Sequence, residues 1–170
     1  MPAVEIREAR RAELDAAGRV TQAAWREFER PEDPVWVGYF ELLGDAAARA
    51  ARALVLVAVE DGRVVGTATV ELEATIEEKG RLDSRQATFR MLAVEPAWRG
   101  RGIGRQLVEA CIERACEAGK SVATLHTADE MVAATAIYRS LGFGRDSGAD
   151  MTVAPGVTLR AYRLPLREAR

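Results

Sequence analysis

The stretch Arg99-Gly100-Arg101-Gly102-Ile103-Gly104 constrains this chain more than any other, because it joins an apolar strand pattern over 87–94 to an amphipathic helical pattern that begins at Ile103. Glycine enters backbone conformations closed to other residues, and three glycines at alternate positions leave the main chain bare where a helix starts. The first N–H groups of a helix have no partner within it, and the helix dipole favours negative charge there, so the turn is shaped as an anion cradle. Arg99, Arg101 and Arg105 add positive charge around it, which suits a ligand with more than one phosphate. The same glycines also read as a bare surface loop capping a helix, and the pattern alone does not choose. Spacing does exclude two nucleotide loops. A dinucleotide fingerprint would need its third glycine at Arg105 or Leu107, and a Walker loop would need Lys then Ser or Thr where Arg105 and Gln106 stand.

On either side of this unit the patterns alternate between strand and helix. Residues 4–7 read as a first strand, and Leu14, Ala17, Val20, Ala24 and Phe28 recur at helical spacing over about 11–29. Pro31 to Pro34 stops that helix; Asp33-Pro34 then starts a second, predicted to run to Ala51 with Gly38 and Gly44 weakening it. Residues 54–59 form a continuous apolar strand, Asp61-Gly62 a hairpin turn, and 64–73 its antiparallel partner, with Thr67, Thr69, Glu71 and Glu73 on one face. Residues 74–85 are polar and predicted to be an exposed loop.

After the glycine loop, Ile103, Leu107, Val108, Cys111, Ile112 and Ala115 make one apolar stripe that ends at Gly119. A strand over 121–127 carries the sole histidine, His126. A helix over 130–141 follows, capped by Asp129 or Thr127, with Val132, Ala136, Ile137 and Leu141 as its core face. Met131, Ala134 and Tyr138 share a second face, which aims Tyr138 away from the main core. Residues 145–153 remain ambiguous, Pro155-Gly156 is a turn, and 157–164 is a last strand.

The 170 residues suffice for one hydrophobic core, and a net charge of -2 argues against a nucleic-acid surface. No apolar run is long enough to span a membrane and the first residues lack a secretory pattern, so a cytoplasmic protein is expected. Cys111 and Cys116 lie five apart on one helix, about 140° apart around it, and read as free thiols. No set of residues is spaced for a metal.

Arg99-x-x-Gly102-x-Gly104 behind Leu92-Ala93-Val94-Glu95-Pro96 resembles the acyl-CoA-binding motif of the GNAT superfamily of N-acyltransferases. Downstream, Ala134-x-x-x-Tyr138-x-x-x-Gly142-Phe143 is similar to that superfamily's second motif, in the right order and at the right distance. The resemblance implies one α/β (α+β) domain over 1–170, with a mixed, mostly antiparallel sheet of about six to seven strands flanked by about four helices.

It also implies transfer of an acetyl or other acyl group from acetyl-CoA to a primary amine of a small molecule, amino acid or peptide, without metal, nucleic acid or membrane, with a homodimer among the expected assemblies. The implied cofactor-binding residues are Met91, Leu92, Ala93, Val94, Arg99, Gly100, Arg101, Gly102, Ile103, Gly104, Arg105, Ala134 and Tyr138. A bulge at Met91, Leu92 and Val94 would free amides for the pantetheine and the thioester carbonyl. Trp36, Tyr39 and Phe40 would line the acceptor site, although their helical spacing favours plain helix packing.

Three demands define such a reaction. An amine protonated at neutral pH must lose a proton, an oxyanion needs a fixed N–H donor, and the leaving thiolate benefits from an acid. By resemblance Tyr138 is the acid. The superfamily's acidic position falls on Thr88, so Glu71 and Glu73 on the neighbouring strand are the substitute bases. Met131 replaces a common asparagine. Thr88 and Met131 keep open a non-catalytic CoA-binding regulatory module, and a dimeric scaffold with a vestigial cradle is a third reading.

Overall fold

The computed structural model describes residues 3–73 and 84–167. Among these are eight strands, which make one mixed sheet, and five α-helices. The α/β class and the mixed, mostly antiparallel pattern agree with expectation, whereas the elements number one or two more. Contacts group the chain into two compact units, residues Met1–Thr69 with Met91–Ala110, and Val70–Arg90 with Cys111–Arg170.

In the first unit β1 (Glu5–Glu8) pairs antiparallel with β2 (Leu54–Glu60), followed across the sheet by β3 (Arg63–Glu71) and the end of β4 (Gln86–Val94). Asp61 and Gly62 have φ of 49° and 75°, the positive pair a tight hairpin needs. Helix α1 (Leu14–Trp25), with 3-10 turns before and after it, presents Ala17, Val20 and Ala24 to Val55, Val57 and Val59 of β2. Burying that face is what holds the helix in place.

The second predicted helix is two. Helix α2 (Pro34–Gly44) starts where Asp33 accepts the Val35 N–H at 3.0 Å, as its sequence signature indicated. Asp45 then leaves helical geometry at ψ 66° and caps α3 (Ala46–Ala50) by accepting the Ala48 N–H at 2.9 Å. A side chain that satisfies a new helix start ends the old helix, and periodicity carries no sign of it.

Gly66 lets α4 (Ile103–Glu117) lie close on β3. A Cβ there would stand 3.0 Å from Leu107 and 3.1 Å from Ile103 side-chain atoms, so this glycine sets the seat of the helix that follows the loop.

In the second unit β4 runs parallel to β5 (Val122–Thr127), with Gln86↔Val122 through Phe89↔Leu125 in register, and β5 pairs antiparallel with β8 (Val157–Pro165). Beyond β8 lie β6 (Gly144–Arg145) and β7 (Met151–Ala154), so the ambiguous 145–153 contains two short strands and a 3-10 turn, Ser147–Ala149. Arg145 clamps Asp150 at 2.7 and 2.9 Å, and the Ala161 N–H adds a third bond at 2.8 Å, which together hold this carboxyl well below its ordinary range.

Helix α5 (Val132–Ser140) corrects two expectations. Neither Asp129 nor Thr127 caps it. Met131 occupies the N-cap without a side-chain bond, while Asp129 forks onto Arg160 at 3.0 Å twice and the buried Thr127 hydroxyl has no partner among the described residues. The inward face is also the other one. Val132 is 72% exposed and Tyr138 is 8% exposed, because Tyr138 packs edge-on to Phe143 at 5.9 Å and Phe143 onto Phe89 at 6.1 Å. Burying a phenol and two phenyl rings outweighs burying one valine.

Strand β3 ends at Glu71, so Glu73 lies beyond it rather than on it. The predicted loop over 74–85 falls outside the described residues except for Ser84 and Arg85. Both cysteines are free; Cys111 is buried and Cys116 half-buried. Among the described residues no helix is long and apolar enough to cross a membrane.

Candidate functional site

In the first unit the strand before the loop holds one reversed residue. Met91 takes φ 56°, a conformation rare for a side-chain-bearing residue, inside the strand Gln86–Val94. A positive φ within a strand is a conformation that bulges use, at the first of the three positions where one was expected.

The loop follows through a 3-10 turn, Pro96–Trp98, and Gly100 and Gly102 with φ of 77° and 78°. The first helical bond of α4 runs from the Gln106 N–H to the Gly102 carbonyl at 3.1 Å. The N–H groups of Ile103, Gly104 and Arg105 thus precede any intrahelical partner, and glycine at the cap supplies no side chain to cover them. Donors without a main-chain partner at a helix start, where the dipole favours negative charge, are what an anion cradle requires.

The three arginines are more committed than their spacing indicates. Arg99 donates to the Ala24 carbonyl at 3.0 Å and pairs with Glu27 at 2.9 Å, tying the loop to the end of α1. Arg105 pairs with Glu109 one turn along its helix at 3.0 Å. Arg101 forks onto Glu60, which also accepts the Trp98 indole N–H at 2.6 Å. Arg101 and then Trp98 hold the Glu60 carboxyl below its usual value.

Glu60 is the residue beside the loop that sequence reasoning passed over. Its one signal is a charge at the end of an otherwise apolar strand, and at 9% exposure that charge needs its partners. The network fixes Trp98 and Arg101, the residues just before the cradle. Glu60→Gln is expected to raise the Kd for CoA about threefold to tenfold by loosening that segment. Were Glu60 only a neutraliser of Arg101, the freed guanidinium would instead tighten CoA binding, and calorimetry distinguishes the two signs.

Trp36, Tyr39 and Phe40 lie on α2. Tyr39 stacks edge-on to Trp25 and tilted to Trp36, both at 5.9 Å, and Arg26 sits 5.4 Å from the Phe40 ring. Packing thus accounts for Tyr39 and Phe40. The Trp36 indole N–H is enclosed without a partner among the described residues, an open donor at this spot.

In the second unit α5 carries Ala134 and Tyr138 on one inward face. Burial pushes the Tyr138 phenol well above its ordinary value, and Cys111 adds to the shift. The Cys111 thiol is itself pushed up to about 12 by burial. Among the candidate bases, Glu71 is already paired with Arg90, Nε to Oε1 3.0 Å, and Glu73 is exposed. Thr88 joins a polar cluster instead of supplying a carboxylate: Gln86 donates to Thr124 at 2.7 Å and to Thr88 at 3.3 Å. Among the described residues no three His, Cys, Asp or Glu side chains gather to hold a metal.

Comparison with known proteins places this geometry in context. The family model described as acetyltransferase (GNAT) family matches residues 17–143. The N-acetylaspartate synthetase of Homo sapiens is 36% identical over 124 residues, covering 66% of this chain and 38% of that protein. The chain therefore spans about two fifths of that curated relative's length. Among solved structures, a putative acetyltransferase, yncA, from Salmonella typhimurium with its cofactor acetyl-CoA is similar at TM-score 0.73 and 24% identity, over 99% of this chain and 96% of that one. The ribosomal-protein-S18-alanine N-acetyltransferase of Escherichia coli is similar at TM-score 0.69 and 22% identity, over 99% and 97%. Identities this low bear on the fold.

Proposed function

Because the chain belongs to the GNAT acetyltransferase family, we propose that it transfers an acetyl group from acetyl-CoA to the primary amine of a small molecule, amino acid or peptide. The observation that carries this reading is the open row of amides at the start of α4 behind two positive-φ glycines. Those residues fit a diphosphate: the donors are main-chain N–H groups, and Gly102 and Gly104 leave no side chain over them. The curated relatives are named for N-acetylaspartate, whose amine is that of an amino acid, which favours the amino-acid arm.

Acetyl-CoA supplies an activated thioester. Ile103, Gly104 and Arg105 amides hold its phosphates, and the loop anchored by Glu60 keeps them aimed. A main-chain N–H released at Met91 or Leu92 donates to the thioester oxygen as negative charge grows there. The acceptor nitrogen forms its bond to the acetyl carbon as the carbon–sulfur bond breaks; one ammonium proton leaves beforehand, Tyr138 gives the sulfur its proton, and the second proton that the nitrogen sheds as the amide forms passes through water to restore the phenol. With Glu71 held by Arg90, the first proton departs through Glu73 or water. The reading carries with it a single domain and a cytoplasmic protein, acting without nucleic acid, with a homodimer as its expected assembly.

Incubation with acetyl-CoA and a panel of amines, read as thiol release, tests this, with turnover expected for at least one amine. Gly102→Val is expected to raise the CoA Kd tenfold or more, because a β-branched residue resists the φ of 78° that opens the cradle. CoA binding without turnover on any amine would replace the enzyme with the non-catalytic CoA-binding module that Thr88 and Met131 favour.

A further inference from the structure

The sheet of the second unit has one polar face whose residues the transfer chemistry leaves unused. Alternation along β4 and β5 buries Ala87, Phe89, Ala123 and Leu125 on one side. The opposite side gathers Gln86, Thr88, Thr124 and His126, and the register Thr124↔Arg163 and Gly144↔Arg163 brings Arg163 of β8 beside them with no side chain from Gly144 to cover it. His126 Nε2 lies 2.9 Å from the Ala149 carbonyl, which ties the 3-10 turn Ser147–Ala149 to the sheet and closes one end of the cluster. A cavity of about 120 Å³ opens there, lined among others by Gln86, Thr124, His126, Asp146 and Arg163.

The charges in this cavity are unusual for their neighbourhood. Arg145 is paired with Asp150 at 2.7 Å and Arg160 with Asp129 at 3.0 Å. Arg163 and Asp146, by contrast, line one small cavity, yet no ion pair joins them to each other or to another described residue. Opposite charges that line one pocket without pairing, together with the Thr124 hydroxyl and the Gln86 amide, match a ligand that carries both charges a few bonds apart. We propose that this pocket binds a free α-amino acid as its zwitterion, Arg163 taking the carboxylate, Asp146 the ammonium, and Gln86 and Thr124 the remaining polar edge. Arginine suits the planar carboxylate through two parallel N–H bonds. The bound amino acid is the acceptor of the acetyl transfer, a part of the proposal that rests on the transferase reading. A peptide N-terminus has no carboxylate next to its amine and is disfavoured; a polyamine presents a second cation to Arg163 and is rejected.

The test compares L-aspartate and L-alanine with L-alanine methyl ester and ethylamine, using the full chain and two surface variants, Arg163→Gln and Asp146→Asn. By calorimetry and chemical-shift perturbation the amino acids bind, and Arg163→Gln weakens them at least tenfold while leaving ethylamine unaffected. In steady state the same variant raises the amino-acid KM with kcat little changed. Equal binding of L-alanine and its methyl ester, no binding of either amino acid, or affinity unchanged in both variants overturns the pocket. Acetylation of ethylamine as efficiently as of amino acids overturns the pocket and leaves the transferase standing. Amino-acid binding sensitive to Arg163, without turnover on any amine, supports the pocket and overturns the transferase.

Discussion

Tyr138→Phe is expected to lower kcat about a hundredfold or more while leaving the acetyl-CoA KM and the Tm near those of the parent protein. The ring contact of Tyr138 with Phe143 survives the change. On the proposed mechanism, what is lost is a proton donor. Burial raises the phenol, so it is neutral throughout the working range and able to donate. A phenol above its ordinary value would be a poor acid toward a thiolate in water. The neighbouring Cys111 thiol is likewise pushed up to about 12 by burial, so the groups around Tyr138 stay protonated with it. The sign of the pH effect follows: the working form is protonated, its loss is displaced to higher pH, and the parent rate shows no alkaline fall between about pH 7 and 9.5. A variant whose kcat stays within threefold of the parent's removes Tyr138 from the chemistry.

Gly18→Ala is expected to destabilise the fold by about 3 kcal/mol or more, or to prevent folding, against the sign that helix propensity predicts. In an open helix, alanine for glycine contributes about 1 kcal/mol of stability. At Gly18 of α1, however, the added Cβ would stand 2.0 Å from the Gly44 carbonyl oxygen and 2.8 Å from its carbon, both backbone atoms of α2. No rotamer relieves that overlap, so α1 and α2 must part, and α1 covers the β2 core. Gly38→Ala is the control. Nothing lies within 4 Å of a Cβ there, and the same substitution is expected to stabilise by about 0.5–1 kcal/mol. At about 2–4 °C per kcal/mol for a chain of this size, thermal melts resolve the opposite signs. Equal shifts for the two variants would show that the close approach of α1 and α2 does not exist in solution.

These two glycines also show where the chain was legible. From the sequence Gly38 merely weakens a helix and Gly18 carries no signal, because propensity concerns a helix alone; the use of Gly18 is a contact between elements, which no local pattern encodes. The glycine loop was legible for the opposite reason. A positive φ is a property of one residue, so Gly62, Gly100 and Gly102 announced their turns, and Asp33-Pro34 announced a helix start through a bond two residues long. The helix α4 followed from one apolar stripe over fifteen residues with charges opposite. Helix α5 did not follow. Its nine residues carry apolar side chains on both faces, so periodicity had two solutions, and three aromatic rings brought together from Phe89, Tyr138 and Phe143 selected between them.

By itself the sequence determined the order of the longer strands and helices, the glycine turn before α4 and the family to which two spaced motifs belong, since each depends on neighbours along the chain. Tertiary structure alone decided the reversal at Met91, the inward turn of Tyr138, the hold of Glu60 on Arg101 across 41 residues, and the facing of Arg163 and Asp146 over one cavity. Those depend on which side chains meet after the sheet has formed, and a meeting between residues far apart in the chain has no signature in either one's local pattern.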